Sequence, residues 1–97
     1  MTWKAKLLVL QREFPGTEVS RISTDPVVYQ CSLRAVAKEG FILRGSLFKW
    51  GPSPAQAVNA LWTFLPGKRI VKNAESSERR EEVMLVANGF VPWRQES

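Results

Sequence analysis

A helix with clearly marked ends constrains the fold of this chain more than any other stretch. It begins after Ser53, a favoured cap because its hydroxyl can accept a hydrogen bond from a backbone N–H of the first turn. Pro54 follows at the first helical position, where its missing N–H costs nothing, and Gln56 completes a capping box. Apolar residues then recur at helical spacing up to Leu65, and the Pro-Gly pair after it ends the helix. The sequence therefore predicts an amphipathic helix here.

Two strands that lead into this helix predict an antiparallel hairpin. Residues 27–37 alternate between apolar and polar side chains, which is the pattern of a strand with one covered face. After a short glycine-containing loop, residues 41–50 supply the second strand. A shorter strand is predicted over 18–23, where Val19 and Ile22 are out of phase, so we expect a bulge or an edge position. Together these segments predict a three-stranded antiparallel sheet.

Another helix precedes the sheet. Thr2 suits its N-cap, and the helix is predicted to run to about Glu13, before a Pro-Gly pair ends it. Leu8 widens its apolar side, so we expect this helix to be well buried. Its main apolar face is formed by Trp3, Leu7, Leu10 and Phe14. Residues 1–66 thus predict an α+β fold, ordered αβββα, with the helices packed on one face of the three-stranded antiparallel sheet.

Residues 67–97 are predicted to form a basic linker and a C-terminal appendage of the same single domain. A short strand is expected around Ile70 and Val71. Residues 78–88 favour a third helix, because acidic residues lie near its start and an Asn-Gly pair at its end. The same stretch also fits two strands of a hairpin around that Asn-Gly pair. We favour the helix and keep the hairpin as the alternative.

The residue content argues against catalysis. The chain has no histidine, which excludes Ser-His-Asp and Cys-His nucleophile systems and removes the commonest zinc ligand. Its single cysteine, Cys31, lies on the predicted core face, where a free thiol behaves as a small hydrophobe. Its single aspartate, Asp25, precedes a proline in a predicted turn, and adjacent Glu81 and Glu82 would diverge on a helix. We therefore expect a protein that is not an enzyme and carries no cofactor or metal.

Net charge directs the choice of partner. Fourteen lysines and arginines against nine acidic residues leave a formal charge of +5, which favours nucleic acid or an acidic protein or nucleoprotein surface. Five cations follow the second predicted helix closely, and they form either a phosphate-binding cluster or an ordinary solvated connector. These cations are Lys68, Arg69, Lys72, Arg79 and Arg80.

The uncovered face of the predicted sheet is the second candidate for binding. Alternation places Arg34 and Arg44 on it together with Phe48 and Trp50, so this face is not cleanly polar. Either the C-terminal segment covers it, or it is a binding surface whose rings stack on bases or anchor a partner protein. We expect the C-terminal segment to cover Phe48, and both interpretations stay open for Trp50.

The order of helix, three strands and helix over residues 2–65 resembles the double-stranded RNA-binding domain. The segment GPSPAQA, which begins at Gly51, looks like that family's small-residue loop entering its last helix. In that family the helix opens with lysines that grip phosphates, whereas Pro54, Ala55 and Gln56 stand at those places here. The resemblance therefore implies the topology and argues against duplex-RNA binding through this helix.

We expect a small basic binding protein that contacts nucleic acid or a nucleoprotein complex. The alternative is a small inhibitor or adaptor of the phage anti-CRISPR kind, which docks by protein–protein contact on a host complex that handles nucleic acid. A homodimer that hides the open face of the sheet is a third interpretation. No apolar run reaches the roughly 20 residues of a membrane span, and no signal peptide is recognisable. We therefore expect no membrane partner. A single cysteine cannot form an internal disulfide, so nothing indicates secretion and we expect a cytoplasmic location.

Overall fold

The computed structural model describes residues 1–33, 36–38, 41–43, 47–72 and 81–93. These residues form a mixed α+β fold of two helices and two sheets. The helices are α1 (Trp3–Glu13) and α2 (Pro54–Phe64). The strands are β1 (Glu18–Thr24), β2 (Val27–Leu33), β3 (Val36–Lys38), β4 (Phe41–Leu43), β5 (Leu47–Gly51), β6 (Arg69–Lys72), β7 (Glu81–Val86) and β8 (Gly89–Pro92). Neither helix in these ranges has the length and apolar content needed to cross a membrane.

The first sheet consists of three antiparallel strands in the order β1-β2-β5. Strand β1 lies at one edge, and its register against β2 shifts between Arg21 and Ser23, so that Ile22 is the extra residue of a bulge. This confirms the irregularity predicted for that strand. The turn predicted at Asp25-Pro26 joins β1 to β2, and the peptide bond between these two residues is cis. Strand β5 is the other outer strand, and it leads directly into α2.

The second sheet has the order β3-β4-β6-β7-β8 within the described residues. Its strands are antiparallel except for β4 and β6, which run parallel. The strands predicted over 27–37 and 41–50 are therefore each divided between two sheets, and the single three-stranded sheet was too simple an expectation. The short strand predicted around Ile70 and Val71 is confirmed as β6.

The C-terminal segment forms a hairpin of β7 and β8. The helix favoured over 78–88 is therefore wrong for its described residues, and the alternative hairpin is the arrangement present. Val86 pairs with Gly89, so the two-residue turn occupies positions 87 and 88, one residue earlier than the predicted Asn-Gly turn.

Pairing with β6 explains why the segment is a strand. Ile70 lies opposite Val83 across the β6–β7 ladder. The side chains of Val83 and Leu85, two positions apart, are both buried in the core. Burial at alternate positions needs the period of a strand, whereas a helix would turn these two side chains roughly 200° apart. The long-range partner strand thus overrides the helical signals at the ends of the segment.

Helix α2 begins and ends as the sequence predicts. Ser53 Oγ accepts a hydrogen bond from the Gln56 backbone N–H at 3.2 Å, and the Ser53 hydroxyl contacts Gln56 Oε1 at 3.1 Å. Gly67 follows the helix with a φ of 79°, in the left-handed region that favours glycine. Strand β5 approaches the helix so closely at Gly51 that a Cβ built there would lie 2.6 Å from the Ala57 nitrogen.

The core lies between the first sheet, the two helices and the second sheet. Helix α2 contacts all three strands of the first sheet, and α1 packs against α2. Phe14 meets Phe90 of β8 edge-to-face at 5.4 Å between ring centroids, which joins α1 to the second sheet. Thr2 caps α1 by accepting from the Ala5 N–H at 3.2 Å, as predicted. Leu8 is 55% exposed, however, so α1 is less buried than we expected.

Candidate nucleic-acid interface

Two aromatic rings project from β5 on the face of the first sheet opposite to α2. Alternation along the strand turns Leu47 and Lys49 toward α2 and the core, and Phe48 and Trp50 away from them. Phe48 is 44% exposed and Trp50 is 58% exposed. The expectation that the C-terminal segment covers Phe48 is therefore wrong. Both interpretations were kept for Trp50, and among the described residues it is the most exposed of the large apolar side chains.

The two rings form one stacked pair. Their centroids are 5.5 Å apart and their planes are inclined by 26°. The Trp50 indole N–H donates to Gln30 Oε1 at 2.9 Å, and the two residues are directly opposite each other in the β2–β5 ladder. This hydrogen bond fixes the orientation of the indole ring over the sheet. The pair is therefore an exposed aromatic surface with a defined orientation.

Polar side chains surround the stacked pair on the same face of the sheet. Ser32 lies opposite Phe48 in the ladder, and Gln30 lies opposite Trp50. On the next strand, Ser20 lies opposite Gln30. Hydroxyl and amide groups at these positions can both donate and accept hydrogen bonds. The face thus combines π-surfaces with groups suited to the polar edges of a ligand.

An apolar hollow opens beside Trp50 at the end of the sheet. Its volume is about 370 Å³. Its walls come from the β1–β2 turn, the start of β2 and the corner between β5 and α2: Pro26, Val27, Val28, Trp50, Gly51 and Pro52. Trp50 therefore contributes to both the stacked pair and the hollow.

The predicted basic segment has two of its cations in ion pairs. Arg69 of β6 forms a salt bridge with Glu82 of the neighbouring strand β7. Lys72 Nζ lies 2.8 Å from Glu13 Oε1 at the end of α1. Both contacts join separate elements of the fold, so these two side chains have structural roles.

Lys68 behaves differently from its two neighbours. Its ammonium lies over the Phe64 ring, 5.0 Å from the centroid. Lys49 of β5 reaches the same ring from the sheet, at 4.2 Å. Lys49 was not among the predicted site residues, and the structure places its ammonium over the same ring as that of Lys68. The other predicted site cations, Arg34, Arg44, Arg79 and Arg80, lie outside the described residues.

The described residues contain no cluster of three or more side chains suited to bind a metal ion. Cys31 is fully buried on β2, on the core face predicted for it. Burial away from water disfavours the thiolate and raises the pKa of the Cys31 thiol from 9.0 to about 11. At neutral pH the thiol is therefore protonated, the unreactive form.

Comparison with known proteins found no relative: the chain matches no family model, no curated protein and no solved structure. The resemblance to the double-stranded RNA-binding domain thus stays a prediction from the order of elements.

Proposed function

We propose that this protein is a small, non-enzymatic, cytoplasmic module that binds single-stranded nucleic acid on the open face of its first sheet. The stacked, exposed pair of Phe48 and Trp50 is the observation that carries the proposal. Each ring offers a π-face on which an unpaired base stacks, an interaction worth about 1–3 kcal/mol per base and largely independent of sequence. Unpaired bases are needed, because those in a duplex are already stacked on one another.

The surroundings of the rings favour bases over a purely apolar ligand. Gln30, Ser32 and Ser20 lie on the same face and supply donors and acceptors for base edges. The net charge of +5 attracts a polyanion over a distance and raises the rate of encounter. A ring already oriented by the Trp50–Gln30 hydrogen bond loses less conformational freedom on binding.

The proposed face differs from the one used by the family that the chain resembles. In the double-stranded RNA-binding domain, the N-terminal end of the last helix holds phosphates through lysines. Here α2 opens with Pro54, Ala55 and Gln56, which carry no charge. The proposed contact surface therefore lies on the other side of the sheet, where the aromatic pair lies.

Fluorescence anisotropy of labelled single-stranded DNA and RNA tests the proposal. Replacing Trp50 or Phe48 by alanine should weaken binding about 5- to 150-fold, the range that corresponds to the loss of one stacked base. Leu8→Ala is the matched control, because Leu8 is similarly exposed on α1, away from the sheet. Absence of binding by the wild type, or equal affinities for W50A, F48A and L8A, would refute the proposal.

A second function is supported by the apolar hollow. The volume of about 370 Å³ and its lining of prolines and valines fit an apolar side chain of a protein partner. Trp50 at its rim belongs to the residue types that most often dominate protein interfaces. In this alternative the chain is an inhibitor or adaptor that docks on a complex that handles nucleic acid.

A nuclease-treated pull-down with a matched variant separates the two functions. Val27 is 44% exposed in the hollow, so Val27→Lys adds a charge there with little effect on folding. A protein partner that survives nuclease and is lost with V27K favours docking. Loss of every partner on nuclease treatment, with anisotropy binding retained by V27K, favours nucleic acid.

A further inference from the structure

We propose that Lys49 and Lys68, held over the Phe64 ring, form the site for backbone phosphate of the same nucleic-acid strand. This inference rests on the proposed function and adds the location of the charged half of the ligand. The three residues come from three parts of the chain: strand β5, the last turn of α2 and the turn after it. Only folding brings the two ammonium groups together, and the ligand class follows from their charge.

The geometry of the cluster concentrates positive charge. The ammonium nitrogens lie 4.2 Å and 5.0 Å from the centroid of Phe64. Their separation therefore cannot exceed the sum of those two distances. Each cation is attracted to the electron-rich face of the ring, which offsets part of the repulsion between them. An anion bound beside the two ammonium groups would offset that repulsion, so the cluster favours phosphate.

The two lysines differ in their partners from Arg69 and Lys72, the other cations near the end of α2. Neither Lys49 nor Lys68 has a carboxylate within 4 Å in the described residues. Lys72 and Arg69, by contrast, are held by glutamates. A phosphate that binds Lys72 would have to compete with Glu13, whereas one that binds the cluster would not. The cluster is thus the more available anion site.

The position of Lys49 joins the cluster to the stacked rings. Lys49 lies between Phe48 and Trp50 in β5, and alternation directs it to the opposite side of the strand. Strand β5 is an outer strand of the first sheet. A single strand that crosses this edge can place bases on the rings on one side and phosphates at the lysines on the other. Because a phosphodiester links each pair of neighbouring bases, a continuous ligand satisfies both sites.

Salt dependence measures the number of phosphates that a protein neutralises. For single strands, the slope of log affinity against log salt is about −0.7 for each phosphate contact. Lys49→Gln/Lys68→Gln should therefore make the slope less steep by up to about 1.4. The matched control is Lys4→Gln/Arg12→Gln, which removes the same charge from exposed positions on α1. Its slope should stay closer to that of the wild type.

Three outcomes decide between the two levels of the proposal. A less steep slope of log affinity against log salt for K49Q/K68Q than for K4Q/R12Q supports the phosphate site. Equal slopes for the two double variants overturn it, although the proposed function survives if the wild type binds and W50A weakens binding. The same comparison on an abasic oligonucleotide, which keeps its phosphates and has no bases to stack, should show the same difference in slope. If K49Q/K68Q has a lower melting temperature, Lys68→Gln alone replaces it, with an expected change of about 0.7.

Discussion

Gly51 joins the candidate interface to the helix behind it, and replacing it by alanine is the strictest test of that corner. It directly follows Trp50 and lines the apolar hollow. A Cβ at this position would lie 2.6 Å from the Ala57 nitrogen, 2.8 Å from the Gln56 carbonyl carbon and 2.9 Å from the Gln56 Cβ. Real Cβ atoms essentially never approach other heavy atoms this closely. Two of the three atoms belong to the backbone of α2, so no side-chain rotation relieves the overlap.

The cost follows from the displacement that Gly51→Ala requires. The first turn of α2 must move away from β5, although the Ser53 cap and the buried Ala57 and Val58 hold it in place. Overpacking by one methyl group in a filled site typically costs about 1–3 kcal/mol. For a domain of this size, each kcal/mol lowers the melting temperature by about 4–8 °C. We therefore expect a decrease of about 4–24 °C.

Differential scanning calorimetry of Gly51→Ala and Gly89→Ala measures this effect against a matched control. Gly89 is also in a strand, but a Cβ there would meet nothing within 4 Å. We expect Gly89→Ala to change stability by no more than about 0.5 kcal/mol. Similar melting temperatures for G51A and the wild type would refute the close approach of β5 to α2, and a large loss in G89A would show that any added methyl group is harmful.

Three further predictions concern the core and its links. Leu61 is fully buried, so Leu61→Ala should reduce the free energy of unfolding in urea by about 2–5 kcal/mol, and a smaller loss would contradict its place in the core. The raised pKa of Cys31, about 11 against 9.0, means that its protonated thiol stabilises the fold fully below pH 9. Relative to Cys31→Ala, the wild type should lose about 2–3 kcal/mol between pH 9 and pH 11, and a constant difference in urea midpoints would refute this. Lys72→Gln should cost less than about 1 kcal/mol, because the Glu13–Lys72 pair is partly exposed, and a double-mutant cycle with Glu13→Gln measures the coupling.

Local signals in the sequence were sufficient for the helices. Thr2 and Ser53 cap α1 and α2 as predicted, because a cap depends on residues within one turn of it. The bulge at Ile22 was likewise predictable, since a break in apolar alternation is visible within a few residues.

Pairing between distant segments was not predictable in the same way. The parallel contact of β4 with β6 joins Ile42 to Ile70 across the whole of α2, and no short-range pattern encodes it. The alternating residues of β7 carry a strand signal, but the acidic residues and the Asn-Gly pair at the ends of the segment favour a helix. The pairing with β6 makes the segment a strand. Strand pairing depends on the partner as much as on the strand itself.

The candidate site was also only partly predictable. Alternation placed Phe48 and Trp50 on one face, but their mutual stacking and the hydrogen bond to Gln30 depend on side-chain geometry. The run of cations after α2 suggested equal roles for all of them. In the structure, however, Arg69 and Lys72 form ion pairs with Glu82 and Glu13. Lys49 had no sequence signal beyond its alternation with the two aromatic residues. Its partner ring, Phe64, lies at the far end of α2, and only folding brings the two side chains together.

The indole N–H signals in two-dimensional NMR test the central claim most directly. The four tryptophans give four separate indole probes, and Trp50→Phe assigns the one of interest. On titration with an unlabelled single-stranded oligonucleotide, the Trp50 signal should move most, because the ring current of a stacked base acts on the indole N–H. The partly buried Trp3 and the buried Trp62 should move little. Saturable binding that shifts Trp3 or Trp62 while the Trp50 signal stays in place would contradict the account.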